Sequence, residues 1–369
     1  MDRQSADRGQ SLQIGAILLF GFLVIALTTA QAGLVPADIS RAELDHSQRV
    51  ADQLVGLETA VLETSVTGQP QPTTLDLGPD YDDRLLFAYP PPPAGTLNTT
   101  APATLAIDNA AAVTDTGSFD TYWNGTTRSY DTRAITYTPT YRELDTAPRY
   151  RIEHGVLAAH YEGDTRIDLA SNRQPVVDDT EITLSVVNGE LAATGIDTES
   201  VVPERVTEST TVPVKASGGP IRLRLPTQLS AAAWRETILN EQSTVDSVAV
   251  TGDVATITLD DTETYELTIH KLDIGTPTTA RSPTYLRNAS ADADWGFPVD
   301  VRDQYNDRID DPTTVWIYND SDYHSPEASF TVPDGSAPAV SGTLCYTLTK
   351  NMVDADTPET VEPTAGGCR

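Results

Sequence analysis

The sequence predicts a mainly β protein in which one N-terminal transmembrane helix precedes an acidic, antiparallel, sandwich-like domain and a small trailing β module. Three observations carry that reading. Residues Ile14 to Val35 hold no charge, the apolar spacing switches from helical to alternating near Thr73, and short Thr-, Val-, Ile- and Tyr-rich runs recur between Gly, Pro, Asn and Asp.

The apolar segment fits residues 10–36 as a membrane span. At ~1.5 Å per residue, Ile14 to Val35 reaches roughly 33 Å, against a hydrocarbon core of ~30 Å. Ten of the residues between Ile14 and Leu27 are Ile, Leu, Val or Phe, and together they favour insertion by roughly 3–6 kcal/mol. Pro36 should interrupt or kink the helix at the membrane boundary. Residues 37–68 then form an amphipathic continuation, with Val50, Leu54, Leu57 and Val61 at alternating four- and three-residue spacing. Such a seam packs either on its own domain or on a sister helix. Its acidic polar face is unsuited to lying on a membrane surface. Gly68 and the Pro70/Pro72 pair end the helix.

From residue 69 to 276 the pattern is that of strands. Ala134–Tyr141, Tyr150–Tyr161, Glu181–Val187, Pro220–Leu225, Ser247–Leu259 and Tyr265–Leu272 each show period-two apolar positions, the last two joined by an Asp-Asp-Thr-Glu turn. Only Ala231–Gln242, with Trp234 and Ile238 on one side, reads as helical. The Tyr89-Pro90-Pro91-Pro92-Pro93 run is a stiff, extended spacer or loop. A Thr-, Pro- and Ser-rich stretch near 275–290 opens the trailing module, residues 277–369.

Composition excludes several functions. With 24 basic and 54 acidic side chains the net charge is −30, a field that repels nucleic acid and anionic lipid. Only Lys215, Lys271 and Lys350 are lysines, while Asp and Thr abound. Salt screens such self-repulsion, so folding should depend on salt. Cys345 and Cys368, the two cysteines, are a candidate disulfide closing one loop near the C-terminus.

No phosphate loop, zinc spacing, nucleophile elbow or metal helix is present, so no catalytic, cofactor-binding or metal-ligating residue is nominated. His154 and His160, six apart in an extended strand, would lie roughly 20 Å from each other. The acidic loops Asp292-Ala-Asp294 and Asn319-Asp-Ser-Asp322 have oxygens suited to calcium but no EF-hand spacing. Four Asn-x-Ser/Thr sequons, at Asn98, Asn124, Asn288 and Asn319, stand in turn-like, polar surroundings suited to surface glycans.

Arg8-Gly9-Gln10-Ser11, directly before the apolar run, resembles the class III signal peptide of archaeal type IV pilin-like proteins. That resemblance implies cleavage between Gly9 and Gln10, with residues 1–9 as leader and the helix kept on the mature chain. Assembling pilins carry a glutamate at the fifth mature position, which here is Ile14. Two other fates compete: simple retention as a signal anchor, and release after Ala30-Gln31-Ala32 as a secretory signal peptide. Phe297-Pro-Val-Asp-Val-Arg-Asp-Gln-Tyr-Asn-Asp resembles the first strand and turn of immunoglobulin-like repeats in surface adhesins. The whole is similar to haloarchaeal surface proteins. It implies a single-pass protein of the cell membrane with its bulk outside, non-catalytic, serving envelope structure, adhesion or pilus-like assembly. Its partners would be the membrane, further copies of itself, or pilus and envelope proteins. The alternative is a secreted or anchored module that binds carbohydrate or calcium.

Overall fold

The computed structural model describes residues 4–81, 89–113, 122–161, 167–172, 175–207, 209–240, 242–278, 281–288, 299–309, 312–319, 328–332 and 344–348. It is a mainly β protein with one long N-terminal helix. That helix, Gln4–Thr67, runs through Pro36 without a break. The expected interruption does not occur, because a proline costs the helix one N–H and one tight contact with the preceding turn, which a 64-residue element absorbs. At ~1.5 Å per residue the helix is roughly 96 Å long. It ends as the sequence indicated: Gly68 takes a φ of 72°, and its N–H returns to the Thr64 carbonyl at 2.9 Å. This left-handed cap position favours glycine.

Among the described residues three large sheets and one antiparallel pair, Thr73–Asp76 with Thr198–Val201, build the body. The first orders Ala192–Gly195, Gly95–Thr99, Ile135–Thr138, Arg149–Glu153, Val156–His160 and Ile167–Asn172, each neighbour antiparallel. A second holds Val245–Thr251, Val254–Leu259, Arg222–Pro226, Ala103–Asp108 and Arg128–Thr132, again antiparallel. The third centres on Thr264–Ile274, which pairs antiparallel with Val212–Ala216 and Pro203–Arg205 but parallel with Glu181–Asn188. This parallel pair is the departure from the antiparallel expectation among these sheets.

Side-chain alternation places these sheets in layers. Leu105, Ile107, Leu223 and Ile257 of the second sheet share a core with Ile182, Leu184, Val214 and Leu267 of the third, the face-to-face packing of a sandwich. Val156 and Ala158 of the first sheet point into that same core, whereas Leu157 and Ala159 point the other way, toward the helix. The first sheet is thus covered on both faces.

Four sequence readings are corrected. Tyr150–Tyr161 is not one strand but a hairpin, turning at His154 (φ 51°) and Gly155 (φ 76°). Positive φ at both central residues gives the turn the twist that two-residue hairpins need. Ser247–Leu259 is likewise a hairpin, turning at Gly252. The strands flanking the Asp-Asp-Thr-Glu turn belong to different sheets, so that turn is a crossing between layers. The helical stretch is short: Ala231–Ala233 leads into one π-helical turn, Trp234–Ile238, which buries Trp234 completely.

Beyond residue 277 lie two small sheets, Tyr285–Asn288 with Val299–Arg302, and Ala328–Val332, Thr313–Asn319 and Leu344–Thr347. They close on a core of their own around Leu286, Val301, Val315, Ile317 and Phe330.

Candidate functional site

The helix has two halves with opposite surroundings. From Ile14 to Leu34 its apolar side chains face outward: Ile17 is 70% exposed, Leu19 73% and Phe22 70%. It is a helix long and apolar enough to cross a membrane. Polar groups in this stretch bond internally, Thr28 donating to the Val24 carbonyl at 2.8 Å and Thr29 to the Ile25 carbonyl at 2.8 Å. Such back-bonding satisfies hydroxyls where no water is available.

From Val35 onward the helix buries one stripe. Val35, Ile39, Val50, Leu54, Leu57 and Val61 are buried, the last four in one core with Leu75, Leu97, Tyr137 and Leu157. The seam read from the sequence therefore packs on its own domain, which resolves the choice between own domain and sister helix.

Polar side chains fix the seat. Glu43 is fully buried, and its carboxylate accepts the backbone N–H groups of Arg142 (2.7 Å), Glu143 (2.8 Å) and Leu144 (2.9 Å) and the Tyr81 hydroxyl (2.7 Å). One turn on, His46 Nδ1 meets the Tyr141 hydroxyl at 2.7 Å and Nε2 the Asp76 carbonyl at 3.2 Å. Burial holds its imidazole below the ordinary histidine range. Asp76 is the next node: it accepts from Thr198 at 2.7 Å, from Gln53 at 3.2 Å and from Arg49 at 3.4 Å. Burial alone would raise its carboxyl, but these hydrogen bonds prevail and lower it. Tyr89, leading the proline run, donates to Asp38 at 3.0 Å and so ties that loop to the helix.

Arg8, Gly9 and Gln10, the candidate processing residues, lie in the first turns of the helix; their side chains are outside the described residues. The sequons are not uniformly turn-like. Asn98 stands mid-strand and half-buried, its Oδ1 taken by the Thr136 hydroxyl at 2.6 Å. Asn124 is exposed in a turn, where its Oδ1 accepts from the Thr126 N–H (3.1 Å) and hydroxyl (2.7 Å). Asn288 and Asn319 are the last residues of strands, with side chains outside the described residues. Strand propensity of the flanking Thr, Tyr, Leu and Val outweighs the turn preference of asparagine at these three positions. Cys345 lies in the strand Leu344–Thr347, but its side chain and all of Cys368 are outside the described residues.

Hairpin geometry sends His154 and His160 to opposite ends, His160 pairing with Arg149 while His154 sits at the turn, 2.8 Å from the Pro226 carbonyl. Among the described residues no three His, Cys, Asp or Glu side chains gather as a metal site. Asp292, Asp294, Asp320 and Asp322 lie outside them. Glu43 and His46 were missed as inward-facing; the signal that could have found them is their spacing, which extends the Val50–Leu54 stripe back toward Val35. With this geometry in hand, comparison with family models, curated proteins and solved structures gives no match.

Proposed function

We propose that this is a membrane-anchored cell-surface protein that holds its β body outside the cell and serves a structural, adhesive or pilus-like role without turnover. One observation carries the reading: a single helix whose Ile14–Leu34 stretch turns its large apolar side chains outward continues into a half locked to the body. The body is thereby a rigid extension of the anchor. Since Val50, Leu54 and Leu57 are used internally, helix-to-helix assembly would run through the Ile14–Leu34 half, where Gly15, Gly21 and Gly33 leave open space for a close neighbour. The −30 charge and the sparse lysines favour the salt-loving archaeal setting.

The N-terminal sequence of the mature protein, taken from membranes and from medium, tests this. A start at Gln10 in the membrane fraction, with the body cut by protease added to intact cells, is the expected result. A start at Gly33 in the medium, or a body shielded from external protease, overturns it.

A further inference from the structure

Lys271 occupies the middle of the strand Thr264–Ile274, paired in parallel register with Val186. Its side chain is only 6% exposed. The ammonium nitrogen lies 4.2 Å from the ring centre of Tyr305 and 5.2 Å from that of Tyr130. Those two rings stack on each other at 5.5 Å. Against Nζ, in direct contact, rests the carboxyl of Asp307.

Asp307 arrives from the trailing module, on the turn that follows Val299–Arg302. Asp303 shapes this turn: its Oδ1 accepts the N–H groups of Tyr305 and Asp307, both at 2.9 Å, and its own N–H donates to the Asp307 carbonyl at 2.7 Å. Asp303 is itself buried, with Arg281 Nε at 3.5 Å. Side chain and turn are therefore both held, and the amine and carboxyl cannot drift apart.

Desolvation is the largest influence on each partner. It pulls the Lys271 ammonium below the ordinary lysine range and pushes the Asp307 carboxyl above the ordinary aspartate range, each against the attraction of the other. Both directions oppose the ion pair, and the condensation starts from that fraction in which a neutral amine faces a neutral acid. Held in that geometry, an amine and a carboxylic acid react as if at an effective concentration of roughly 10⁵ M or more. The Tyr130 and Tyr305 rings cover Lys271, the Asp307 side chain stays 20% exposed so that the released water has a way out, and a neutral amide replaces two groups that are costly to bury as ions.

We propose that Lys271 and Asp307 condense into an intramolecular isopeptide bond that fastens the trailing module to the body. The Nζ lone pair attacks Cγ of Asp307 and the C–N bond forms. One Nζ proton passes to the hydroxyl of Asp307, the C–O bond breaks, and water leaves. No oxidant or cofactor enters the balance. The crosslink bridges 36 positions of the chain and carries load from the central strand of the third sheet into the module. It is independent of whether the helix spans a membrane.

Intact mass of the full chain purified natively tests this, followed by trypsin digestion. The expected mass is about 18 Da, one water, below that of the processed sequence, with a branched peptide joining 236–281 to 303–308. Full sequence mass with free peptides 236–271 and 303–308 overturns the proposal. So does a water loss that persists in Lys271→Arg.

Discussion

Glu43, on the helix, accepts the backbone N–H of Arg142 at 2.7 Å from 99 positions away in the chain, and the same carboxylate takes three further hydrogen bonds from the body. Glu43→Ala should leave the Tyr81 hydroxyl and three N–H groups without their acceptor. Tyr81 is buried whereas Arg142 and Glu143 are exposed and open to water, so the substitution should cost about 1–3 kcal/mol. Denaturant unfolding of the full chain in detergent reads it, and a loss near zero would show that the loop 141–144 finds other partners. Glu43→Gln, which keeps the shape and one acceptor oxygen, should cost less.

The two halves of the helix should respond oppositely to substitution. Leu54→Ala removes a fully buried side chain from the helix-facing core and should destabilise the body by about 2–5 kcal/mol. Phe22, 70% exposed, touches nothing there. Phe22→Arg should leave unfolding of the body unchanged yet lower the membrane-bound fraction, because a central Arg opposes insertion by about 3 kcal/mol against the roughly 3–6 kcal/mol that favours it, and Phe22→Arg with Leu19→Arg should release the protein. A double variant as firmly membrane-bound as the parent would contradict the anchoring role.

Much of this architecture was legible because periodicity reports facing directly. Val50, Leu54, Leu57 and Val61 read as a seam and form one; the apolar run is a helix long and apolar enough to cross a membrane, and the glycine stop reads correctly as well. What was lost depended on partners distant in sequence. The His154-Gly155 turn was hidden because both arms continue the same apolar alternation and histidine is not a usual left-handed residue. Parallel pairing of Glu181–Asn188 with Thr264–Ile274 leaves no local mark, since each strand reads alike whichever way its neighbour runs. Glu43 and Lys271 were invisible as site residues for the same reason: a charged side chain reads as solvent-facing until the groups that pair with it are known.

Acid should weaken the fold through its histidines. Burial holds the imidazoles of His46, His154 and His160 below 6.5 and pulls His270 down to about 4. The unfolded chain takes up protons near pH 6.5 while the folded chain does not, so stability is full above that pH and falls below it, by up to about 1.4 kcal/mol per pH unit for each such group. Asp273, whose carboxyl burial raises, acts in the opposite sense at lower pH. Tm should therefore drop between pH 7.5 and 5, and His270→Gln, which keeps a partner for Ser209, should flatten that drop. An unchanged slope in the variant would remove His270 from the account.

Salt should act through the whole surface. With a charge of −30, mutual repulsion opposes the compact state, and raising KCl from about 0.15 M to about 1 M shortens the screening length from about 8 Å to about 3 Å. Contacts such as Arg224 with Asp108, 2.8 Å apart at a half-exposed site, weaken under the same screening. They contribute little in water and are few beside the excess of carboxylates, so relief of repulsion wins. Tm should rise steadily with KCl and stay level in a neutral osmolyte of equal osmolality. Equal rises in both would assign the effect to solvent exclusion instead of charge, and a flat KCl profile would mean that the acidic surface is already spaced widely enough not to strain the fold.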